Sequence, residues 1–161
     1  MRKILLLLSI FLLVNTSCEK DDFCLQNPVT PNLVLRFYDE TNRETIKTAQ
    51  RLSVWAEGKD TITAYKSQNL DSIVIPLNSL TTETIYHLKM NNDDGATSDN
   101  QTATFTIKYT PKEEYVSRSC GYKVIFNNID FSSNNTWIKA FTPATLTTID
   151  NQNAAHVQIF H

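Results

Sequence analysis

The sequence is poor in glycine: only Gly58, Gly95 and Gly121 occur in 161 residues, none of them near another. That scarcity excludes the Gly-rich phosphate loops, the nucleophile elbow and the dinucleotide fingerprint, all of which need glycines a few positions apart. Basic charge is not in excess either. With 15 Lys+Arg against 17 Asp+Glu and a net charge of −2, there is no cationic stripe of the kind a nucleic-acid partner selects. Histidine is limited to His87, His156 and His161, with no HExxH pair and no local Ser–His–carboxylate context. His87 and His156 fall at alternating strand positions, where rim imidazoles are a plainer reading than ligands. No CxxC pair marks a zinc site, and no apolar run reaches the ~20 residues that a spanning helix requires. These absences leave no catalytic residue, cofactor or metal centre to nominate.

What is present begins at the amino terminus. Met1-Arg2-Lys3 is followed by ILLLLSIFLLV from Ile4 to Val14, in which Ser9 is the single polar residue. A short positive region before an apolar run of this length reads as a signal peptide. The run ends at Asn15-Thr16-Ser17 and meets Cys18. A small residue before a cysteine at this place resembles the bacterial lipobox, although Asn15 stands where the strict pattern prefers leucine. The resemblance implies that Cys18 is diacylated and becomes the first residue of the mature chain. The alternative is an ordinary secretory signal cleaved near Ser17, which leaves Cys18 as a free thiol. Glu19, Lys20, Asp21 and Asp22 come next and resemble the surface-export signal of Bacteroidota lipoproteins; the alternative is a solvated linker. Loss of Arg2 and Lys3 with residues 1–17 moves the net charge from −2 to −4, so lipid rather than headgroup attraction would hold the body at a membrane.

The cysteine count is odd. With Cys18 assigned to lipid, Cys24 and Cys120 remain in an oxidising setting and are expected to form a disulfide. Neither has the neighbours of a metal ligand or of an activated thiol. Cys24 follows Cys18 by six residues, a tether of at most roughly 20 Å. The folded body is therefore expected close against the bilayer.

From residue 32 onward the pattern is period two. Leu33, Leu35 and Phe37 share one face, as do Leu52 and Val54 with Trp55 opposite. The cleanest alternation runs from Thr102 to Tyr109, with Ala103, Phe105, Ile107 and Tyr109 inward. Further strands are expected at 72–77, 85–90, 122–126, 137–141 and 156–160, with Pro76 marking an edge or a strand end. Glu44 to Leu52 could hold one short helical turn. About eight strands without a sustained helical period predict an all-β fold, a single β-sandwich of Ig-like or transthyretin-like architecture with little helix. The expected organisation is a signal peptide at 1–17, a lipidated cysteine and short acidic tether at 18–31, and a β-sandwich domain at 32–161.

Two further clusters have a functional and a plainer reading. Asn91, Asp93, Thr97 and Asp99 have the odd-position spacing of a calcium loop, but Thr102 stands where an EF-hand places its glutamate. The plainer reading is a polar hairpin tip. Trp55 and Trp137, with the six tyrosines, could build an aromatic platform for sugar; the plainer reading places them in the core or at its rim.

Several segments together resemble a family of small uncharacterised Bacteroidota lipoproteins, known only as a domain of unknown function. They are CEKDDFC at Cys18 to Cys24, PNLVLRFYD at Pro31 to Asp39, SIVIPLN at Ser72 to Asn78, YVSRSCGYKVIFNN at Tyr115 to Asn128 and AAHVQIFH at Ala154 to His161. The resemblance implies a lipoprotein with one domain and supplies no activity. The expectation is a non-enzymatic, lipid-anchored module of the bacterial outer membrane, exposed at the cell surface. Its partners would be membrane lipid through Cys18 and a protein or glycan not identified by sequence. The alternative is a carbohydrate-binding surface protein or a weak glycan hydrolase.

Overall fold

A computed structural model of the chain describes residues 23–24, 29–91, 102–134 and 136–161. The chain divides into two compact units, Val29–Glu114 with Lys123–His161, and Met1–Pro28 with Tyr115–Tyr122. Of the second, Phe23, Cys24 and Tyr115–Tyr122 are described.

The larger unit is built from strands. In chain order they are β1 (Leu33–Tyr38), β2 (Ala49–Ala56), β3 (Gln68–Leu70), β4 (Ser72–Ile75), β5 (Glu83–Lys89), β6 (Thr102–Ser117), β7 (Gly121–Ser133), β8 (Ala140–Thr142), β9 (Thr145–Ile149) and β10 (Val157–Phe160). β6 and β7 are hairpin neighbours whose distal residues belong to the second unit. A four-stranded sheet has the order β4-β1-β10-β8, and a six-stranded sheet has the order β3-β2-β5-β6-β7-β9. Because the chain passes repeatedly between them, the two sheets share one core, the arrangement of a β-sandwich. The fold is all-β, as the alternation predicts. Among the described residues the helical content is a single 3₁₀ turn at Thr63–Tyr65. The possible helical turn at Glu44 to Leu52 is not formed, since β2 begins at Ala49.

The core follows from side-chain parity. Leu33, Leu35 and Phe37 of β1, and Ala103, Phe105, Ile107 and Tyr109 of β6, are buried in one cluster. β2 shows how a break in parity is repaired. Ala49 and Leu52 are three residues apart, yet both are buried, which strict alternation forbids. The register of β2 against β3 shifts between them, and Arg51 adopts φ 45°. One extra residue thus restores the inward face, as a β-bulge does.

Among the described residues most strand pairs are antiparallel, but β1 and β10 pair in parallel with Leu35 opposite Val157 and Tyr38 opposite Phe160. β4 lies at an edge and ends before Pro76. Its outward peptide groups are occupied: the Tyr65 hydroxyl accepts from Val74 N–H and donates to Val74 C=O, both at 2.9 Å. A side chain thereby blunts an edge that could otherwise recruit another strand. The segment after β4 is pinned in the same way. Tyr86 Oη donates to Pro76 O at 2.7 Å, and Tyr109 Oη donates to Asn78 O at 2.8 Å. Thr84 Oγ1 closes a ring by bonding Tyr109 Oη and accepting from Asn78 N–H. Burial, with the neighbouring phenols of Tyr109 and Tyr65, pushes the Tyr86 hydroxyl up to about 12.

Candidate functional sites

The smaller unit carries the disulfide. Cys24 and Cys120 are bonded, with Cα atoms 4.7 Å apart and a sequence separation of 96. The turn that presents Cys120 is set locally: Ser117 Oγ accepts from Cys120 N–H at 3.0 Å. Gly121 follows at φ 71°, a conformation that favours glycine. Tyr115 and Tyr122 meet edge to face with ring centroids 5.3 Å apart. They remain 57% and 64% exposed, and Phe23, next to Cys24, is 79% exposed. Cys18 and the tetrad Glu19, Lys20, Asp21 and Asp22 lie outside the described residues.

The two tryptophans are not brought together. Trp137 is 3% exposed and sits in the core, where its Nε1–H donates to Leu88 O at 2.9 Å. Its ring packs against Phe37 and His161, with centroids 6.0 Å and 5.4 Å away. Trp55 is half-buried on the opposite face of the six-stranded sheet, stacked on His87 with centroids 5.3 Å apart. The two rings therefore do not join in one aromatic platform, because Trp137 is taken into the core.

His87 belongs to a row across the outer sheet face. Trp55 of β2 is opposite His87 of β5, which is opposite Thr104 of β6. His87 Nε2 bonds the Glu57 carboxylate, and Nδ1 lies 3.3 Å from Thr104 Oγ1. A carboxylate only accepts, so Nε2 carries a proton directed at Glu57. The order carboxylate–imidazole–hydroxyl is that of a nucleophile relay, but its hydroxyl sits in the middle of a paired strand. Thr104 lies within a strand, and its N–H is already given to Asn134 Oδ1 at 3.0 Å, so it cannot stabilise an oxyanion. The row instead ties three strands together. Sequence reading missed it because Glu57, His87 and Thr104 are separated by 30 and 17 residues; only strand register assembles them.

A cleft of ≈ 350 Å³ is lined by Lys47, Met90, Asn91, Trp137, Lys139 and His161, among others. Its cations are engaged within the protein. Lys47 Nζ donates to His161 O at 2.6 Å and pairs with Asp39 at 3.2 Å. Lys139 Nζ donates to Thr136 O at 3.2 Å. Of the calcium-loop candidates, Asn91 is described, with φ 56° and its N–H donated to Gln50 O at 2.8 Å. Asp93, Thr97 and Asp99 lie outside the described residues. Among the described residues no three His, Cys, Asp or Glu side chains are grouped to hold a metal ion.

Residues 51–161 match a family of unknown function, DUF6452. The chain belongs to DUF6452. No curated protein and no solved structure matches it. The DUF6452 match begins within β2 and takes in every later strand, with Cys120, Trp137 and all three histidines; β1 and Cys24 precede it. The family carries no assigned activity.

One histidine of the DUF6452 segment has a structural role with a measurable consequence. His156 Nδ1 accepts from Val34 N–H at 2.9 Å, and its Nε2–H donates to Asn151 O at 2.9 Å. Its own N–H donates to Val34 O at 2.8 Å. The imidazole thus supplies the first rung beside the β1–β10 ladder, and supplies it only while neutral. Burial pulls its pKa below the ordinary 6.5, against weaker raising contributions from Asn151 and Asp150. Burial pulls His161 below the same value, with Lys47 adding to the effect. The unfolded chain then binds more protons than the folded one as pH drops below about 6.5, so stability rises with pH there. The contribution is complete above the unfolded value and is lost as pH falls through the folded one. Urea midpoints should decline between about pH 6.5 and 5, before most carboxylates titrate. His156→Gln should flatten that slope, and a midpoint unchanged over this window would refute the assignment.

Proposed function

We propose that this DUF6452 protein is a lipid-anchored, non-enzymatic lipoprotein of the Bacteroidota outer membrane, displayed at the cell surface as a binding or structural module. The observation that carries the reading is the apolar run Ile4–Val14 followed, after Asn15-Thr16-Ser17, by Cys18, the one cysteine left over once Cys24 and Cys120 are paired. A signal core before a lone cysteine fits acylation at that cysteine. The disulfide supports an oxidising, extracytoplasmic compartment. The charged residues Glu19 to Asp22 immediately after Cys18 support passage to the surface. The module reading is favoured over a sugar-handling one because Trp137 is buried in the core, leaving Trp55 without its partner aromatic.

The experiment is fractionation of cells making the full chain or its Cys18→Ala variant. The parent should sediment with outer membranes and become accessible to external protease, whereas the variant should be released. Continued sedimentation of the variant with outer membranes would defeat the anchor.

A further inference from the structure

We propose that Phe23, Tyr115 and Tyr122 form an aromatic foot that seats in the headgroup region of the bilayer holding the Cys18 acyl chains; this rests on the lipid-anchor reading above. Three large aromatic side chains in one small unit are each more than half exposed, at 79%, 57% and 64%. Scattered apolar residues on a surface need no explanation, but grouped ones mark a binding surface. Here the grouping is covalent. Phe23 adjoins Cys24, Cys24 is bonded to Cys120, and Tyr122 follows two residues later, in contact with Tyr115. The disulfide therefore joins the segment carrying Phe23 to the hairpin end that carries the tyrosine pair.

The tether identifies the occupant. Cys18 and Phe23 are five residues apart, so even a fully extended chain between them spans roughly 18 Å. The headgroup layer on each side of a bilayer is itself roughly 5–8 Å deep. An acylated Cys18 thus keeps Phe23 beside the membrane whatever path residues 19–22 take. At that boundary a tyrosine is well suited, since its ring can enter the apolar layer while the hydroxyl stays hydrated. Acyl chains supply the attachment, and the foot would fix how the protein stands on the surface.

The test uses the mature, acylated protein in vesicles of phosphatidylethanolamine and phosphatidylglycerol, with the Cys18→Ala chain free in solution as comparator. Both are treated with tetranitromethane, and nitration is read by peptide mass spectrometry with Tyr38 as internal reference. Tyr115 and Tyr122 should react about tenfold more slowly on vesicles, the factor for a surface seated nine-tenths of the time, while Tyr38 is unchanged. Equal reactivity in vesicle-bound and soluble protein would overturn the foot and leave the anchor standing. Protection in whole cells without protection on pure lipid would assign the patch to a protein partner and also overturn it. A parent protein found without lipid at Cys18 and failing to sediment with vesicles would overturn both.

Discussion

Replacing Trp137 by alanine should destabilise the protein by about 3–5 kcal/mol, the range for emptying a buried tryptophan site. The residue is 3% exposed and contacts Phe37 and His161, so its removal leaves a hole lined by rings that cannot easily collapse. Its indole N–H also satisfies Leu88 O in a buried position, and the truncated protein would leave that carbonyl short of a partner. Trp137→Phe separates the two losses: most of the volume stays, the donor goes, and the expected cost falls to roughly 1–3 kcal/mol. Trp55→Ala is the control. Its stacking on His87 at the outer face should be worth only about 0.5–1.5 kcal/mol beyond area burial. Denaturant midpoints for the three variants provide the check. Natural domains hold only about 5–15 kcal/mol in total, so the Trp137→Ala protein should unfold well below the parent. If Trp137→Ala were as stable as Trp55→Ala, the placement of Trp137 in the core would be wrong.

The second large effect concerns the disulfide. Cys24→Ser with Cys120→Ser opens a loop closed across 96 residues. Restricting the unfolded chain by such a loop is worth on the order of 4–5 kcal/mol in the chain-entropy treatment, with typical measured values about 2–4 kcal/mol. The effect acts on the unfolded state, so the core residues around Phe37 and Phe105 need not move. The double variant should lose stability by an amount that dithiothreitol reproduces in the parent and does not add to in the variant. Thermal or urea midpoints in the four combinations form the test. A parent insensitive to reductant, with two thiols titrating in the unfolded oxidised protein, would show that the bond does not form.

Much of the fold is legible in the sequence because a half-buried strand writes its two faces into alternate positions. β6 is the clearest case: Ala103, Phe105, Ile107 and Tyr109 are all in the core. The same rule misses strands without an apolar face. β3, with the sequence QNL, and β9, TLTTI, are edge strands with mostly exposed residues, and neither carries a period to detect. It also misplaces consecutive buried residues. Trp137 and Ile138 are both buried, which one strand face cannot achieve; they enter the core from the segment before β8 rather than from a strand at 137–141. The pairing of Cys24 with Cys120 was readable from the oxidising setting once Cys18 was set aside for lipid. The Glu57–His87–Thr104 row was not, since register, rather than spacing along the chain, makes those residues neighbours. The extra residue at Arg51 was equally hidden, because a bulge shows only as an alternation out of step by one.

The proposed anchor requires that Cys18 carries the lipid and begins the mature protein. The most direct measurement is mass spectrometry of the amino-terminal peptide from protein extracted from membranes. The peptide should begin at Cys18 and bear acyl chains, with no free thiol elsewhere in the folded protein. A peptide with an unmodified Cys18, or one that still carries residues upstream of it, would rule out the lipid anchor.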